Sequence, residues 1–319
     1  MTGSSAAIIG CGILGQGWAI AFARSGWDVR LFDRDPAASA RAEEVIADRL
    51  ALLHKAKATA PSGIVTRTTE LGEALQGVSY AQESIREDLP AKKAIFGELD
   101  ELAGNDAILA SSTSSLTASQ FTETLAGKHR CLVAHPLNPP YLLPAVEVMP
   151  AQWTSASIVT SALDILKSVG LSPFVLKKEG QFALTRLQAA MLAEAMRLVD
   201  EGCVDPDGVD CAIRDGLGLR WAFMGPFETV DLNSNGGFEE FINEYRPMFE
   251  AILEHNRQAP TSWPNTLVHQ IEQYRRTLVP ATDLAEKRAW RDSRLIALAD
   301  HKAQMANQDH GPTSPESDL

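Results

Sequence analysis

A histidine and a glutamate flank a proline-rich segment near the middle of the chain, and both are candidates for proton transfer. Residues 134–148 read AHPLNPPYLLPAVEV, with His135 near the start, Asn138 just after it and Glu147 near the end. Proline fixes backbone torsions, so this segment should be costly to rearrange once folded. Imidazole titrates near neutrality, and a carboxylate on its far nitrogen would fix the tautomer and stabilise the imidazolium. The pattern therefore indicates a general base with an acidic partner.

The residues around the glutamate suggest how it is placed. Glu147 lies between Val146 and Val148, so in a strand the valines face one side and the carboxylate faces the other. A carboxylate within an apolar strand is expensive to bury without a partner, and His135 is the expected one. In the alternative, His135 caps a strand end and Glu147 lies on a solvated face.

A glycine-rich pattern near the amino terminus suggests which reaction the proton transfer would serve. Residues 10–15 read GCGILG, a GxGxxG fingerprint with a short apolar run before it and a helix-like segment after it. In a dinucleotide-binding turn, Gly10 permits the tight turn, Gly12 lets a pyrophosphate approach the backbone, and Gly15 lets helix and strand pack closely. The positive end of the helix would face the phosphates. The alternative is an empty α/β turn, because glycine triplets also occur in turns without a ligand.

Asp33 predicts which dinucleotide is bound. It follows a second strand-like run, at the distance from Gly15 where a carboxylate can accept both ribose hydroxyls. The same charge would repel the 2′-phosphate of NADP, so we predict NAD as the cofactor. Arg34 argues the other way, since a neighbouring arginine can help to hold a 2′-phosphate. With His135, the fingerprint predicts a dehydrogenase, and the residues suggest no metal site.

Five consecutive hydroxyl residues form a further candidate site. The sequence SSTSS at 111–115 follows an apolar run at 107–110. It should therefore lie at the carboxyl end of a strand, where α/β proteins bind ligands. One hydroxyl could bond a substrate oxygen, whereas helix capping is the expected role for four of the five.

The order of apolar runs and helix-like segments predicts two domains. Over residues 1–179, short apolar runs alternate with helix-like segments, which is typical of a Rossmann-type doubly wound α/β sheet with parallel strands. From residue 181 to residue 202, apolar residues recur at helical spacing, and no convincing run of strands follows. We therefore predict a NAD-binding domain over 1–179, a smaller all-α domain over 180–306 for substrate binding and dimerisation, and a loose tail over 307–319.

Composition disfavours several classes of protein. Of the 319 residues, 45% are hydrophobic and 22% are charged, as in ordinary globular proteins. A net charge of −12 argues against nucleic acid or an anionic membrane as partner, but allows a local basic pocket for a small acidic substrate. The four cysteines form no CxxC pair, so a reducing cytoplasm is the expected compartment. Glycines interrupt the uncharged stretch over residues 1–23, which disfavours a membrane span or a signal peptide.

Taken together, these motifs resemble one protein family. GCGILG with Asp33, the run EDL at 87–89 with Lys92, SSTSSL and AHPLNPPYLLPAVEV are similar to the L-3-hydroxyacyl-CoA dehydrogenase superfamily. DGLGLRWAFMGPFE at 215–228 and RAWRDSR at 288–294 closely resemble its lambda-crystallin branch, which includes L-gulonate 3-dehydrogenase. The likeness runs over nearly the whole chain.

The resemblance implies roles for individual residues. His135 would be the catalytic base, paired with Glu147, while Ser114 and Asn138 would contact substrate and nicotinamide. The residues that would hold NAD are Gly10, Gly12, Ile13, Leu14, Gly15, Asp33, Glu87, Lys92, Ser114 and Asn138. The family is typically dimeric through its helical domain, so the resemblance also implies a homodimer.

One departure from the family pattern bears on the substrate. Many relatives have an Asn-Arg pair at the start of the long second-domain helix, and that asparagine helps to line the active site. Here the pair is Thr185-Arg186. Threonine lacks the reach and the second donor of an amide, which puts the usual substrate preference in doubt more than the hydride chemistry. Arg220 and Trp221 could bind a carboxylate, although an ordinary salt bridge is the alternative for Arg220.

We therefore expect NAD-dependent interconversion of a small L-3-hydroxy acid, L-gulonate-like or similar, and its 3-keto acid. A 3-hydroxyacyl-CoA dehydrogenase, acting on 3-hydroxybutyryl-CoA for example, is the alternative among enzymes. The alternative from another class is a non-catalytic NAD-binding protein, either structural like a crystallin or sensing redox state. The presence of His135, Glu147, Ser114 and Asn138 together disfavours this non-catalytic alternative, because a structural role would not require them.

Overall fold

An eight-stranded sheet lies at the centre of the first of two compact units, Met1–Arg186 and Leu187–Leu319, in a computed structural model of the chain. The structure describes residues 4–56, 62–258 and 264–309. The strands are β1 (Ser5–Ile9), β2 (Asp28–Phe32), β3 (Val65–Thr68), β4 (Tyr80–Glu83), β5 (Ile108–Ser111), β6 (Cys131–Pro136), β7 (Ala145–Pro150) and β8 (Ser172–Val175). Their order in the sheet is β3-β2-β1-β4-β5-β6-β7-β8.

Helices connect most of these strands. They are α1 (Ile13–Ala23), α2 (Pro36–Ala56), α3 (Leu71–Leu75), α4 (Leu89–Leu102), α5 (Ala118–Thr122) and α6 (Ala156–Ser168). The strand order reverses between β1 and β4, and at such a point the carboxyl ends of the strands leave a crevice for a ligand. The arrangement confirms the predicted Rossmann-type doubly wound sheet.

The prediction that all strands are parallel is wrong at one place. Strand β7 runs antiparallel to β6, while β8 is again parallel to β7. Residues 137–144 are the whole connection from β6 to β7, and a parallel crossover needs about a dozen residues or more. The reversal has a consequence for the site, because it makes His135 and Glu147 register partners on neighbouring strands.

A buried polar network joins α1 to strands β4 and β5. Ser112 Oγ accepts hydrogen bonds from Trp18 Nε1 at 3.0 Å and from Gln82 Nε2 at 2.8 Å, and it lies 2.8 Å from Ser84 Oγ. The hydroxyl of Tyr80 donates to Gln82 Oε1 at 2.8 Å. A hydroxyl accepts two bonds and donates one, so Ser112 must donate to Ser84 and has all its bonds made.

Replacement of Ser112 by alanine should therefore destabilise the fold. The indole of Trp18 and the amide of Gln82 would lose an acceptor inside the core, and a buried unsatisfied polar group costs about 1–3 kcal/mol. We expect the free energy of unfolding in urea to fall by about 2 kcal/mol or more. Ser79→Ala, at an exposed position just before β4, should change it by less than about 0.5 kcal/mol. Equal stability of the two variants would show that the network contributes nothing.

The second unit is helical, as predicted. Its elements are α7 (Ala183–Asp200, which begins in the first unit), α8 (Pro206–Cys211), α9 (Gly218–Trp221), α10 (Pro226–Asp231), α11 (Gly237–Gln258), α12 (Asn265–Leu278) and α13 (Leu284–Asp309), with a π-helical segment at Ala212–Leu217. Within the unit, α8 packs against α12 and α10 against α11.

Two further predictions concerned a C-terminal tail and membrane-spanning segments. Helix α13 continues to Asp309, past residue 307 where the tail was expected to begin, while residues 310–319 lie outside the described residues. Over the described ranges, no helix is both long enough and apolar enough to cross a membrane.

Candidate active site

The glycine fingerprint forms the turn between β1 and α1. Gly10 has a φ of +95°, and a Cβ there would lie 2.8 Å from the backbone of Ser84. A Cβ on Gly15 would lie 1.9 Å from the carbonyl oxygen of Gly10, so helix and strand pack too closely for any side chain. A Cβ on Gly12 would meet no described atom within 4 Å. Two of the glycines are therefore required by packing, and the third leaves the backbone open to a ligand.

A cavity of about 610 Å³ adjoins this turn. Asp33 lies on its wall, with Oδ2 accepting from the backbone N–H of Cys11 at 2.8 Å and Oδ1 from that of Asp35 at 2.9 Å. Each carboxylate oxygen keeps a lone pair for a further bond, so Asp33 is held in place and still able to accept ribose hydroxyls. The cavity also has walls that were not predicted: Ser84, Ile85, Arg86, Ala91, Ala94 and Ile95.

Ile13 and Leu14 begin α1, directly after the open glycine. The first N–H groups of a helix have no intrahelical acceptor, and Ile13 is largely exposed. The α1 N-terminus is thus able to receive the phosphates of a dinucleotide, and the roles of these two residues toward NAD stay a prediction.

Cys11 is buried within the glycine turn, and its thiol should be inert. Burial, followed by the charge of Asp33, raises the pKa of Cys11 to about 12. Burial likewise raises the pKa of Cys131 to about 12. Because the thiolate is the reactive form, iodoacetamide at mildly alkaline pH should modify the exposed Cys203 and Cys211 and spare both buried thiols. Peptide mapping of the native protein measures this, and modification of Cys11 as fast as that of Cys203 would contradict it.

Lys92 is buried in a cluster of carboxylates. Its Nζ lies 2.9 Å from both carboxylate oxygens of Glu83 and 3.5 Å from Glu87 Oε2. Glu83 also accepts from Ser111 Oγ at 2.5 Å and from the N–H of Ile85 at 2.7 Å. Burial raises the pKa of Glu83, although Lys92 and the hydrogen bonds work against it. The described contacts of Lys92 are therefore carboxylates, and its predicted role toward NAD stays a prediction.

Glu87 organises the hydroxyl-rich loop. Its Oε1 accepts from Thr113 Oγ1 at 2.5 Å, from Ser115 Oγ at 2.7 Å, and from the backbone N–H groups of Ser114 and Ser115. Burial alone would raise the pKa of Glu87, but these hydrogen bonds and the nearby Lys92 lower it overall, which keeps the group anionic. Glu87 thus holds the loop in place while the side chain of Ser114 stays exposed.

The expectation that four of the five hydroxyls cap a helix is wrong. Helix α5 begins only at Ala118, after the loop. Four hydroxyls instead satisfy buried or partly buried polar groups: Ser111 with Glu83, Ser112 with Trp18 and Gln82, and Thr113 and Ser115 with Glu87. Ser114 remains as the hydroxyl that faces outward.

The structure brings His135 and Glu147 together. His135 Nδ1 lies 2.7 Å from Glu147 Oε2, and Glu147 Oε1 accepts from the backbone N–H of Leu184 at 2.8 Å. Glu147 is fully buried, whereas His135 is 8% exposed and packs edge-to-face with the Phe182 ring. A carboxylate oxygen can only accept, so Nδ1 carries the hydrogen, and in the neutral ring Nε2 then presents a lone pair. This is the orientation that a general base requires.

The proline segment packs beside the nucleotide-binding helix. A Cβ on Gly17, in α1, would lie 2.5 Å from Cδ of Pro140, so glycine is needed for this close approach. Asn138 is exposed and precedes a cis peptide bond to Pro139. The close packing of Pro140 on Gly17 fixes the segment that carries Asn138 against α1, within the same unit as the cavity.

The remaining predicted site residues lie on helices. Thr185 is exposed near the start of α7, and Arg220 and Trp221 are exposed in α9 of the second unit. Across the described residues, no group of three or more histidine, cysteine, aspartate or glutamate side chains is placed to hold a metal ion.

The fold and the geometry of its site define a dinucleotide-dependent dehydrogenase of the Rossmann type. Residues 5–179 match the model of the 3-hydroxyacyl-CoA dehydrogenase NAD-binding domain, and residues 182–278 match that of the 3-hydroxyacyl-CoA dehydrogenase C-terminal domain. The chain therefore belongs to the 3-hydroxyacyl-CoA dehydrogenase family and is an NAD-dependent oxidoreductase, which confirms the predicted resemblance, cofactor and class of enzyme.

Known relatives match the chain over most of its length. Lambda-crystallin from Oryctolagus cuniculus is 37% identical over 311 residues, covering 94% of this chain and 97% of that protein. L-carnitine dehydrogenase from Pseudomonas aeruginosa is 32% identical and covers 92% of each. A solved structure, 5-formyl-3-hydroxy-2-methylpyridine 4-carboxylic acid 5-dehydrogenase, an NAD+-dependent dismutase, superposes with a TM-score of 0.80 at 26% identity, over 93% of this chain and 98% of that one.

Proposed function

We propose that the protein interconverts a small L-3-hydroxy acid and its 3-keto acid, with His135 as the general base. The contact of 2.7 Å between His135 Nδ1 and Glu147 Oε2 carries the proposal, because it leaves Nε2 free to accept the hydroxyl proton of a substrate. NAD, which the glycine turn and Asp33 would hold, would supply the acceptor for the hydride at C3 of the acid. A 3-keto product would be reduced by the reverse steps.

Different residues of this chain would bind the cofactor, transfer the proton and contact the substrate. The open backbone at Gly12 and the fixed carboxylate of Asp33 fit a pyrophosphate and a ribose. His135 accepts the proton, and Glu147 stabilises the imidazolium that forms. Ser114 and Asn138 contribute a hydroxyl and an amide that can bond the reacting oxygen or the carboxamide of the nicotinamide.

A free acid is favoured over a CoA ester. The relative from Pseudomonas aeruginosa is named for L-carnitine, which is a small 3-hydroxy acid. Arg220 is exposed in α9, and its guanidinium is a group that can form a bidentate bond to a carboxylate, so it stays a candidate for binding a free acid.

A panel of substrates tests the proposal. L-Gulonate, L-carnitine, L-3-hydroxybutyrate and L-3-hydroxybutyryl-CoA would be compared by NADH formation with NAD in excess. We expect the highest kcat/KM for one of the free acids. Turnover of the CoA ester alone would reject the free acid in favour of an acyl-CoA dehydrogenase. Tight NAD binding with no turnover of any member would favour the non-catalytic alternative.

The role of Glu147 gives a separate prediction. Two donors, the ring N–H of His135 and the backbone N–H of Leu184, share the two oxygens of this carboxylate. Glutamine has one oxygen and one NH₂ group, so Glu147→Gln leaves one donor facing another. We expect kcat to fall about tenfold or more, less than for loss of His135, and its pH profile to change. An unchanged kcat and pH profile would argue against the pairing.

We also propose that the protein is a cytoplasmic homodimer through its helical unit. Several large apolar side chains of that unit are exposed, including Leu219, Phe223, Phe227, Phe249 and Leu253. Exposed apolar surface of this extent is typical of an interface. The four cysteines are free, as expected in a reducing compartment. Light scattering of the purified chain tests the dimer, and a monomeric mass at micromolar concentration would reject it.

A further inference from the structure

Arg34 lies at the position where an NADP-binding enzyme can bind the 2′-phosphate with an arginine, but here it forms an ion pair with Glu98. It follows Asp33 directly and lines the cavity next to the glycine turn. Its guanidinium Nη2 lies 2.5 Å from Glu98 Oε1. Glu98 belongs to α4, whose residues Ala94 and Ile95 also line the cavity. The ion pair therefore joins the loop after β2 to α4, both of which line the cavity, beside the position expected for the adenosine half of a dinucleotide.

Two other charged residues on the cavity wall, Asp35 and Arg86, also have partners of opposite charge. Asp35, on the cavity wall, lies 3.5 Å from Arg41 in α2. Arg86, also on the wall, is 4.0 Å from Asp88 at the start of α4. A phosphate placed at this end of the cavity would thus meet the carboxylates of Asp33 and Glu98 as well as the guanidinium of Arg34. Its attraction to the arginine would be offset by repulsion from both acids.

We propose that Glu98 is a second determinant of specificity for NAD over NADP, acting through Arg34. Asp33 accepts the ribose hydroxyls and repels a 2′-phosphate, and Glu98 withholds the neighbouring guanidinium that such a phosphate would need. The preference for NAD over NADP then depends on two carboxylates on different elements of the fold. Asp33 follows β2 and binds the ribose, and Glu98 lies in α4 and neutralises the arginine that NADP would need. The inference rests on the NAD-binding site and is independent of the substrate proposed above.

Binding titrations with NADPH and NADH, without substrate, test this directly. Glu98→Gln removes the charge and keeps the shape of the side chain. Glu101→Gln is the matched control, since Glu101 is exposed on the same helix and the variant has the same net charge. Arg34→Met and the double variant Arg34→Met/Glu98→Gln show whether the effect passes through the arginine. Exposed ion pairs contribute up to about 1 kcal/mol, so the changes are measurable as several-fold differences in Kd.

We expect Glu98→Gln to strengthen NADPH binding about three- to fivefold, with NADH binding changed less than about twofold. Glu98→Lys should strengthen NADPH binding further, because it adds a cation. Glu101→Gln should change neither cofactor by more than about twofold. The gain from Glu98→Gln should shrink by at least about half once Arg34 is methionine, because only the direct repulsion by Glu98 is then relieved. An unchanged NADPH affinity in Glu98→Gln would overturn the proposal, as would an equal gain in Glu101→Gln or an undiminished gain in the Arg34→Met background. Failure of NADH binding in the unmodified protein would instead reject the cofactor site itself.

Discussion

Replacement of His135 by glutamine should lower kcat at least about a hundredfold while NAD binding stays within about twofold. Glutamine keeps much of the volume of histidine but cannot take up a proton. His135 belongs to β6, where it contacts Glu147 and the Phe182 ring, and it does not line the cavity next to the glycine turn. The loss should therefore fall on the chemical step, and affinity for the cofactor should be retained.

Steady-state kinetics on the best panel substrate, together with titration of NADH binding, measure both quantities. His129→Gln is a suitable control, since His129 is exposed and lies in the short helical turn before β6. The control should keep kcat within about twofold. Near-normal turnover of His135→Gln would remove this histidine from the mechanism.

Replacement of Lys92 by methionine should have the largest effect on stability, about 3–5 kcal/mol. The side chains of Lys92 and Glu83 are 1% and 0% exposed, and Lys92 provides the positive charge that Glu83 contacts. Methionine fills similar space but leaves the Glu83 carboxylate buried without a counter-charge. Lys93→Met, at the exposed neighbouring position, should cost less than about 0.5 kcal/mol.

The loss of stability in Lys92→Met should be smaller at low pH than at high pH. Burial already raises the pKa of Glu83, and without Lys92 it should rise further. The folded variant then binds a proton more readily than the unfolded chain, so its stability falls as pH rises through the folded pKa. Unfolding in urea should show the deficit of Lys92→Met shrinking as pH is lowered from about 8 to about 5. Glu83→Gln in the same chain should recover part of the loss. A deficit independent of pH would contradict the unpaired carboxylate as its cause.

Features that depend on local pattern were predicted well. The glycine turn, the strand that ends just before Asp33 and the helix after it follow from residue types within one short segment. Strands β3 (VTRT) and β8 (SPFV) were missed because they are short, largely exposed edge strands that lack an apolar run. The antiparallel direction of β7 also escaped prediction, although the short connection from β6 is itself a signal for it.

Features that depend on contacts between distant segments could not be predicted from pattern alone. Glu83 and Ser111 are far apart in sequence, but they form a hydrogen bond because their strands are neighbours in the sheet. Glu83 also contacts Lys92, although its segment has the sequence pattern of an ordinary buried strand. The partner of Arg34 is equally remote, since Glu98 comes from α4. A signal for the cavity residues at 84–86 was available, because they follow β4 at the carboxyl edge of the sheet, where ligands bind.

The path of the hydrogen atom from substrate to cofactor tests the central claim most directly. The panel acid with the highest kcat/KM would be deuterated at C3, and the NADH formed would be examined by proton NMR. The account predicts that the label is transferred to C4 of the nicotinamide without exchange with water, and that label transfer slows at least about a hundredfold in His135→Gln. Label that appears in solvent would contradict hydride transfer from C3, and transfer at the normal rate in His135→Gln would contradict the base.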